Sequence, residues 1–215
     1  MAVDVPHAII EHGLPVAMRG QAAALFEGAF GEKMRLAIRD GQKRVAVMER
    51  LIIADHVVLA RDGDELLGMA GLSTLGPPFE GGLMGQSWDP RPLRDVLGWV
   101  GATWATLSLR LADHHPAPGE LYVDGLAVAP EARGQGIGSR LLAEIAATAR
   151  RGGLGFVRLE VVDTNPRAQA LYERLGYTVT RVESLRPVQR WTGVGAVISM
   201  ELRVPPEPAP DTAGR

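Results

Sequence analysis

The 215-residue chain contains no cysteine. That excludes disulfides, thiolate zinc sites, a cysteine nucleophile and a cysteinyl acyl-enzyme, and it fits a cytoplasmic protein. Aromatic residues are few, at 5%, and no run reaches the roughly 18 apolar residues of a membrane span. The opening MAVDVPHAIIEHGLP has neither a basic start nor a useful apolar stretch, so neither export nor a membrane partner is expected. Positive charge is not in excess either. Lys and Arg number 23 against 25 Asp and Glu, a net charge of -2, which leaves no basic footprint for nucleic acid. The remainder, 46% hydrophobic and 22% charged, is ordinary globular composition, enough for one well-buried domain.

Periodicity divides the chain into elements. HAIIEHGL, from His7, reads as a short strand, and Pro15 to about Leu51 carries helical spacing with interruptions near Gly31 and Gly41. His56 to Thr74 is a hairpin around Asp62, Gly63 and Asp64. Leu93, Leu97, Val100, Trp104, Leu107 and Leu111 recur at three and four, predicting a long helix from Arg91 to about Asp113. Downstream, strands at Glu120 to Val128 and Gly155 to Val162 enclose a helix from Ile137 to Arg151. A helix follows at Asn165 to Leu175, opened by Pro166, and then strands at YTVTRVE and AVISMELRV. The two strands joined by a helix should run parallel. The proline-rich tail, residues 205–215, cannot build a core and is expected to be disordered.

The stretch RGQGIGSR, Arg133 to Arg140, carries three glycines and leads directly into the amphipathic helix. The first N–H groups of a helix lack intrahelical partners, and the peptide dipoles leave that end partly positive, so it favours an anion such as phosphate. The glycines permit close approach of a large group. The spacing is neither a Walker A loop nor GxGxxG. Taken alone, it is equally consistent with a tight strand-to-helix turn.

Its context narrows the choice. With NPRAQALYERLGY, Asn165 to Tyr177, the segments from Leu121 to about Val182 resemble the GNAT superfamily of acyl-CoA-dependent N-acyltransferases. The resemblance implies an α/β fold: a mixed, mostly antiparallel sheet flanked by helices, with a V-shaped splay between two central parallel strands. It implies acetyl-CoA as cosubstrate, no metal, and direct transfer to a primary amine. Arg133, Gly134, Gln135, Gly136, Ile137, Gly138 and Ser139 take the positions that wrap the CoA pyrophosphate. Leu126, Ala127 and Val128 take those that pair with the pantetheine arm. Asn165 would hydrogen-bond that arm and Ala168 would leave room for it. Tyr172 would stand near the sulfur, where a phenol can protonate a departing thiolate. The same resemblance gives the oxyanion a backbone N–H around Val128.

The amine must lose a proton before it attacks, and the base is less well marked. Asp124, then Glu120, are the candidates: with Tyr122 they share one strand face if no bulge intervenes, and Asp124 is nearer Val128. Glu160 reads better as a structural ion pair. His114 and His115 adjoin a proline and would need a nearby third ligand to make a metal site, so they read as a solvated loop, and Ser73 and Ser87 lack a nucleophile elbow. One departure from the family pattern stands out. A long connection, Thr74 to Glu120, replaces a short hairpin, so a single domain over residues 1–204 with a helical insertion at about 76–118 is expected. Small-molecule and peptide amines both remain open as acceptors, and a homodimer is common in such families. The alternative is a non-catalytic acyl-CoA sensor that keeps the cofactor half and regulates a partner.

Overall fold

The computed structural model describes residues 7–35, 38–83, 93–99, 101–102, 116–185 and 193–205, with backbone alone at 32–34. Among these residues seven strands form one sheet in the order β1-β2-β3-β4-β5-β7-β6. They are β1 (Ile9–His12), β2 (Val57–Asp62), β3 (Glu65–Ser73), β4 (Glu120–Val128), β5 (Phe156–Val162), β6 (Thr178–Ser184) and β7 (Ala196–Arg203). Every neighbouring pair is antiparallel except β4 and β5, which are parallel as the intervening helix requires. This is the mixed, mostly antiparallel sheet anticipated from the sequence.

Helices cover both faces. On one side lie α3 (Ile137–Arg151) and α4 (Pro166–Arg174). Ile137, Leu141, Leu142, Ile145 and Ala149 of α3 pack on Leu121, Val123, Val157, Leu159 and Val161 of the central strands. On the other side α1 (Arg19–Met34) and α2 (Gly41–Leu51) bury Ala22, Ala23, Phe26, Val47 and Met48 against Val57, Leu59, Leu66 and Met69. These two layers supply the apolar burial that holds the sheet in place.

The expected interruption near Gly31 is not found. α1 runs through it to Met34, and the chain turns before Asp40, whose carboxylate caps α2 by accepting from the N–H groups of Gln42 and Lys43. Gly31 has a packing reason instead: a Cβ there would lie 2.5 Å from Oε1 of Glu27. That oxygen receives Arg44 of α2 at 2.6 Å, and Arg44 also donates to the carbonyls of Ile38 and Arg39. One guanidinium thus fastens the connection between the helices.

Of the predicted long helix, residues 93–99 and 101–102 are helical, and Leu93 and Leu97 join the α1 and α2 cluster. Val100, Trp104, Leu107 and Leu111 lie outside the described residues, as do His114, His115, Ser87 and residues 206–215 of the tail. β3 and β4 remain sheet neighbours despite the long connection between them, pairing from Gly68↔Val128 to Ser73↔Tyr122.

Candidate active site

The central parallel pair is incomplete by design of its register. β4 and β5 pair at Glu120↔Phe156, Leu121↔Val157 and Tyr122↔Arg158, and no further, although both strands continue. Where they part, a cavity of about 160 Å³ opens between them. It is lined by Tyr122 to Leu126 of β4, Leu159 to Val162 of β5, Asn165, Ala168 and Tyr172, with Ala29 and Phe30 of α1 at its edge. α1 can approach this closely because residue 125 is glycine: a Cβ there would stand 3.0 Å from the Phe30 ring.

The downstream half of β4 presents an open backbone edge. The N–H of Ala129 donates to the Leu67 carbonyl of the β3 chain at 2.9 Å, so by alternation the polar groups of Val128 and Leu126 point away from β3, toward the splay. The Val128 carbonyl is taken by Arg133, whose Nε donates to it at 3.1 Å. Arg133 therefore braces the strand end, and its backbone begins the turn.

In that turn Gly134 and Gly136 adopt φ of 78° and 81°, conformations costly for any residue with a Cβ. Gly136 is the N-cap of α3 and offers no side-chain oxygen, so the first N–H groups of the helix, beginning at Ile137, are not capped by a side chain. Gly138 is selected by contact. A Cβ there would meet Leu171 at 3.3 Å and Leu126 and Val128 at 3.9 Å, so the absent side chain lets α3 settle against the open half of β4. Gln135 turns back to donate to the Glu131 carbonyl at 2.7 Å.

α4 forms the third wall. Asn165 caps it by accepting from the Ala168 N–H at 3.2 Å, and Pro166 occupies the first turn, where its missing N–H is harmless. The helix carries Tyr172, 7% exposed, into the cavity lining. Burial pushes the Tyr172 phenol above its ordinary value, so it holds its proton through neutral pH. Its ring lies 5.9 Å from that of Tyr177.

The carboxylates separate by role. Glu120, 1% exposed, pairs with Arg158 at 3.0 Å and accepts from the Ala117 N–H; it does not line the cavity. Asp124 does line it, but its Oδ2 accepts the Leu83 N–H at 2.5 Å under Gly82. The same loop is held by His56, whose Nδ1 donates to the Gly82 carbonyl at 2.6 Å, and by the Ile53 N–H bonded to the Leu83 carbonyl. A bulge follows. Leu72 pairs with Val123 and Gly71 with Gly125, leaving Asp124 as the extra residue. Tyr122 and Asp124 look toward α1, and beyond the bulge Leu126 and Val128 look toward α3.

Sequence reasoning undervalued Glu160. It is no ion pair among the described residues; it lines the cavity, receives Ser199 Oγ at 3.5 Å and is hydrogen-bonded by the Tyr122 phenol. The signal was present in the alternation of β5, since Leu159 and Val161 face the core and turn Glu160 the other way, but its nearness to Tyr122 required the splay. Among the described residues no cluster of three or more His, Asp or Glu is placed to hold a metal ion, and no helix is long and apolar enough to cross a membrane.

The pattern of the Acetyltransferase (GNAT) family matches residues 36–177 of this chain. A thialysine N-epsilon-acetyltransferase of Bos taurus is 45% identical over 56 residues, 26% of this chain and 33% of that protein. A mycothiol acetyltransferase of Beutenbergia cavernae is 39% identical over 84 residues, 39% of this chain and 27% of that protein. The matching parts thus span a third or less of these curated relatives. The solved structure of yncA from Salmonella typhimurium, with its cofactor acetyl-CoA, aligns over 96% of this chain and 99% of its own with a TM-score of 0.56 at 18% identity, a likeness of fold.

Proposed function

Because the chain belongs to the GNAT acetyltransferase family, we propose that it binds acetyl-CoA along the splayed edge of β4 and passes the acetyl group directly to a primary amine. The observation that carries this reading is the meeting, in one cavity, of an open strand edge and a buried, protonated tyrosine beside an uncapped helix start. The uncapped N–H groups from Ile137 to Ser139, with the backbone of Arg133 to Gly136, hold the pyrophosphate. Leu126, Ala127 and Val128 lie along the pantetheine arm, Asn165 donates to it through its amide nitrogen, and Ala168 leaves it space.

When bound, acetyl-CoA supplies a thioester carbonyl to the attacking amine. The Val128 N–H, directed into the splay, donates to the developing oxyanion. Tyr172 gives its proton to the departing sulfur, a transfer favoured by a phenol kept neutral through burial. Of the β4 carboxylates, Asp124 is placed to take part on the amine side, whereas Glu120 is committed to Arg158. The curated relatives' names, a thialysine N-epsilon-acetyltransferase and a mycothiol acetyltransferase, support a small-molecule amine here, with a peptide amine as the other acceptor the site chemistry admits.

The test combines calorimetric titration of acetyl-CoA and desulfo-CoA with thiol release over an amine panel. The expected result is binding of both, release with some amines, and a loss of about 100-fold in rate in Tyr172→Phe with binding retained. Absence of acetyl-CoA binding rejects the reading; binding without release over the panel points to an acyl-CoA sensor.

A further inference from the structure

The cavity has two chemically different sides. Toward α3 and α4 it shows Leu126, Leu159, Val161 and the Tyr172 phenol; toward α1 it shows Tyr122, Asp124 and Glu160. The second side is acidic. Tyr122 records this: its phenol is pushed well above the ordinary range by burial first and then by the charges of Glu160, Asp124 and Glu120.

Three carboxylates contribute to that field, and their commitments differ. Glu120 is buried on Arg158, outside the lining. Asp124 serves the Leu83 N–H, and its carboxylate is crowded by Gly82, where a Cβ would come within 2.6 Å. Glu160 is exposed, lies past the last rung that β5 shares with β4, and is contacted by the hydroxyls of Ser199 and Tyr122. No cation pairs with it among the described residues. Hydroxyl donors orient a carboxylate without neutralising it, so its charge is left for a ligand.

We propose that Glu160, oriented by Tyr122, is the recognition group for the acceptor, which it receives as a primary alkylammonium on the α1 side of the splay. This rests on the acetyl-transfer reading above and assigns the amine side of the same site. Asp124 becomes a positioning residue that fixes the loop at Leu83 against β4. The chemistry admits a small alkylamine or a peptide α-amine, since both present the same head group.

The test uses CoA thioethers as probes, so it needs no known acceptor. Three conjugates carry, beyond the sulfur, a short chain ending in a methyl group, in an alkylammonium, or in the α-ammonium of an alanyl amide. Calorimetry should show one or both ammonium conjugates binding about 10-fold or more tighter than the methyl conjugate, the scale of one charge-assisted hydrogen bond. Glu160→Gln should bring the conjugates to within about 2-fold of each other. The remote Glu183→Gln should keep the preference. Which ammonium is favoured separates the small amine from the peptide terminus. Equal binding of all three by the unaltered protein, or a preference lost in Asp124→Asn and kept in Glu160→Gln, overturns the assignment of Glu160 alone. Failure of every conjugate to bind overturns the acyl-CoA reading and this inference with it.

Discussion

Tyr122 and Arg158 face each other on the last rung of the parallel ladder, and their side chains take opposite partners. Arg158 turns back to Glu120 at 3.0 Å and to Glu201 at 3.1 Å, while Tyr122 turns forward to Glu160 at the cavity. Behind the rung the polar groups are ion-paired and structural; ahead of it they line the site.

The rung predicts a stability effect on its paired side. Glu120→Gln leaves the partly exposed Arg158 guanidinium with Glu201 as its remaining carboxylate and removes the charge from the buried side of the pair, which should cost about 1–3 kcal/mol. The urea midpoint should fall accordingly, while acetyl-CoA affinity at 15 °C is kept. A midpoint within experimental error of the unaltered protein would contradict the structural role given to Glu120.

Asp124 offers a comparison of two substitutions. Asp124→Ala removes the acceptor of the Leu83 N–H, costing about 1–3 kcal/mol for an unsatisfied donor. Asp124→Asn retains an amide oxygen there and should cost less than half as much. Chemical denaturation of both variants measures the difference, and equal losses would mean that the Leu83 bond is not what Asp124 contributes.

Glycines at 136 and 28 should respond with opposite signs. Gly136 sits at φ 81°, so Gly136→Ala should destabilise by about 1–2 kcal/mol and weaken acetyl-CoA binding. Gly28 lies exposed within α1 with open space around it, and Gly28→Ala should stabilise by about 0.5–1 kcal/mol. Thermal melts with and without acetyl-CoA read both effects.

All three tyrosines of the chain are buried with phenols raised above their ordinary value of 10. Below that pH neither the folded nor the unfolded chain ionises them, and stability is unaffected. Above it the unfolded chain releases protons that the folded one retains, so stability should fall by up to about 1.4 kcal/mol per pH unit for each of Tyr122 and Tyr177, whose shifts are large, with Tyr172 adding to the decline. Among the described residues the buried Tyr177 hydroxyl has no hydrogen-bond partner, so Tyr177→Phe should not lower stability at pH 7 and should lessen the alkaline decline. Denaturation curves between pH 7 and 11 test both statements.

Much of this architecture could be read directly from residue spacing. The bounds of β4, Glu120 to Val128, and of α3, Ile137 to Arg151, follow from alternation and from helical spacing after the glycine turn. Local chemistry sufficed there because each segment's pattern agrees with its final burial. Gly31 misled because its reason involves another helix, whose Arg44 holds the Glu27 carboxylate over the place a Cβ at residue 31 would take. The bulge at Asp124 depends on how Gly71 and Leu72 of β3 meet it, and the place of Glu160 depends on where β4 leaves β5. Such relations belong to pairs of distant segments and leave no mark in either one.

The bulge in β4 makes residue parity change meaning within a single strand. At Leu121 and Val123 odd numbers belong to the oily interior, and at Leu126 and Val128 even numbers do. One supernumerary residue has thereby given the strand two dialects, an upstream one on the proposed amine side and a downstream one on the proposed thioester side. Each can drift in sequence without corrupting the other, so on the proposed reading a change of acceptor need not disturb the grip on the cofactor. Deleting that residue would put both halves back in phase and turn Leu126 and Val128 away from the helix they pack on, toward the wrong side of the sheet.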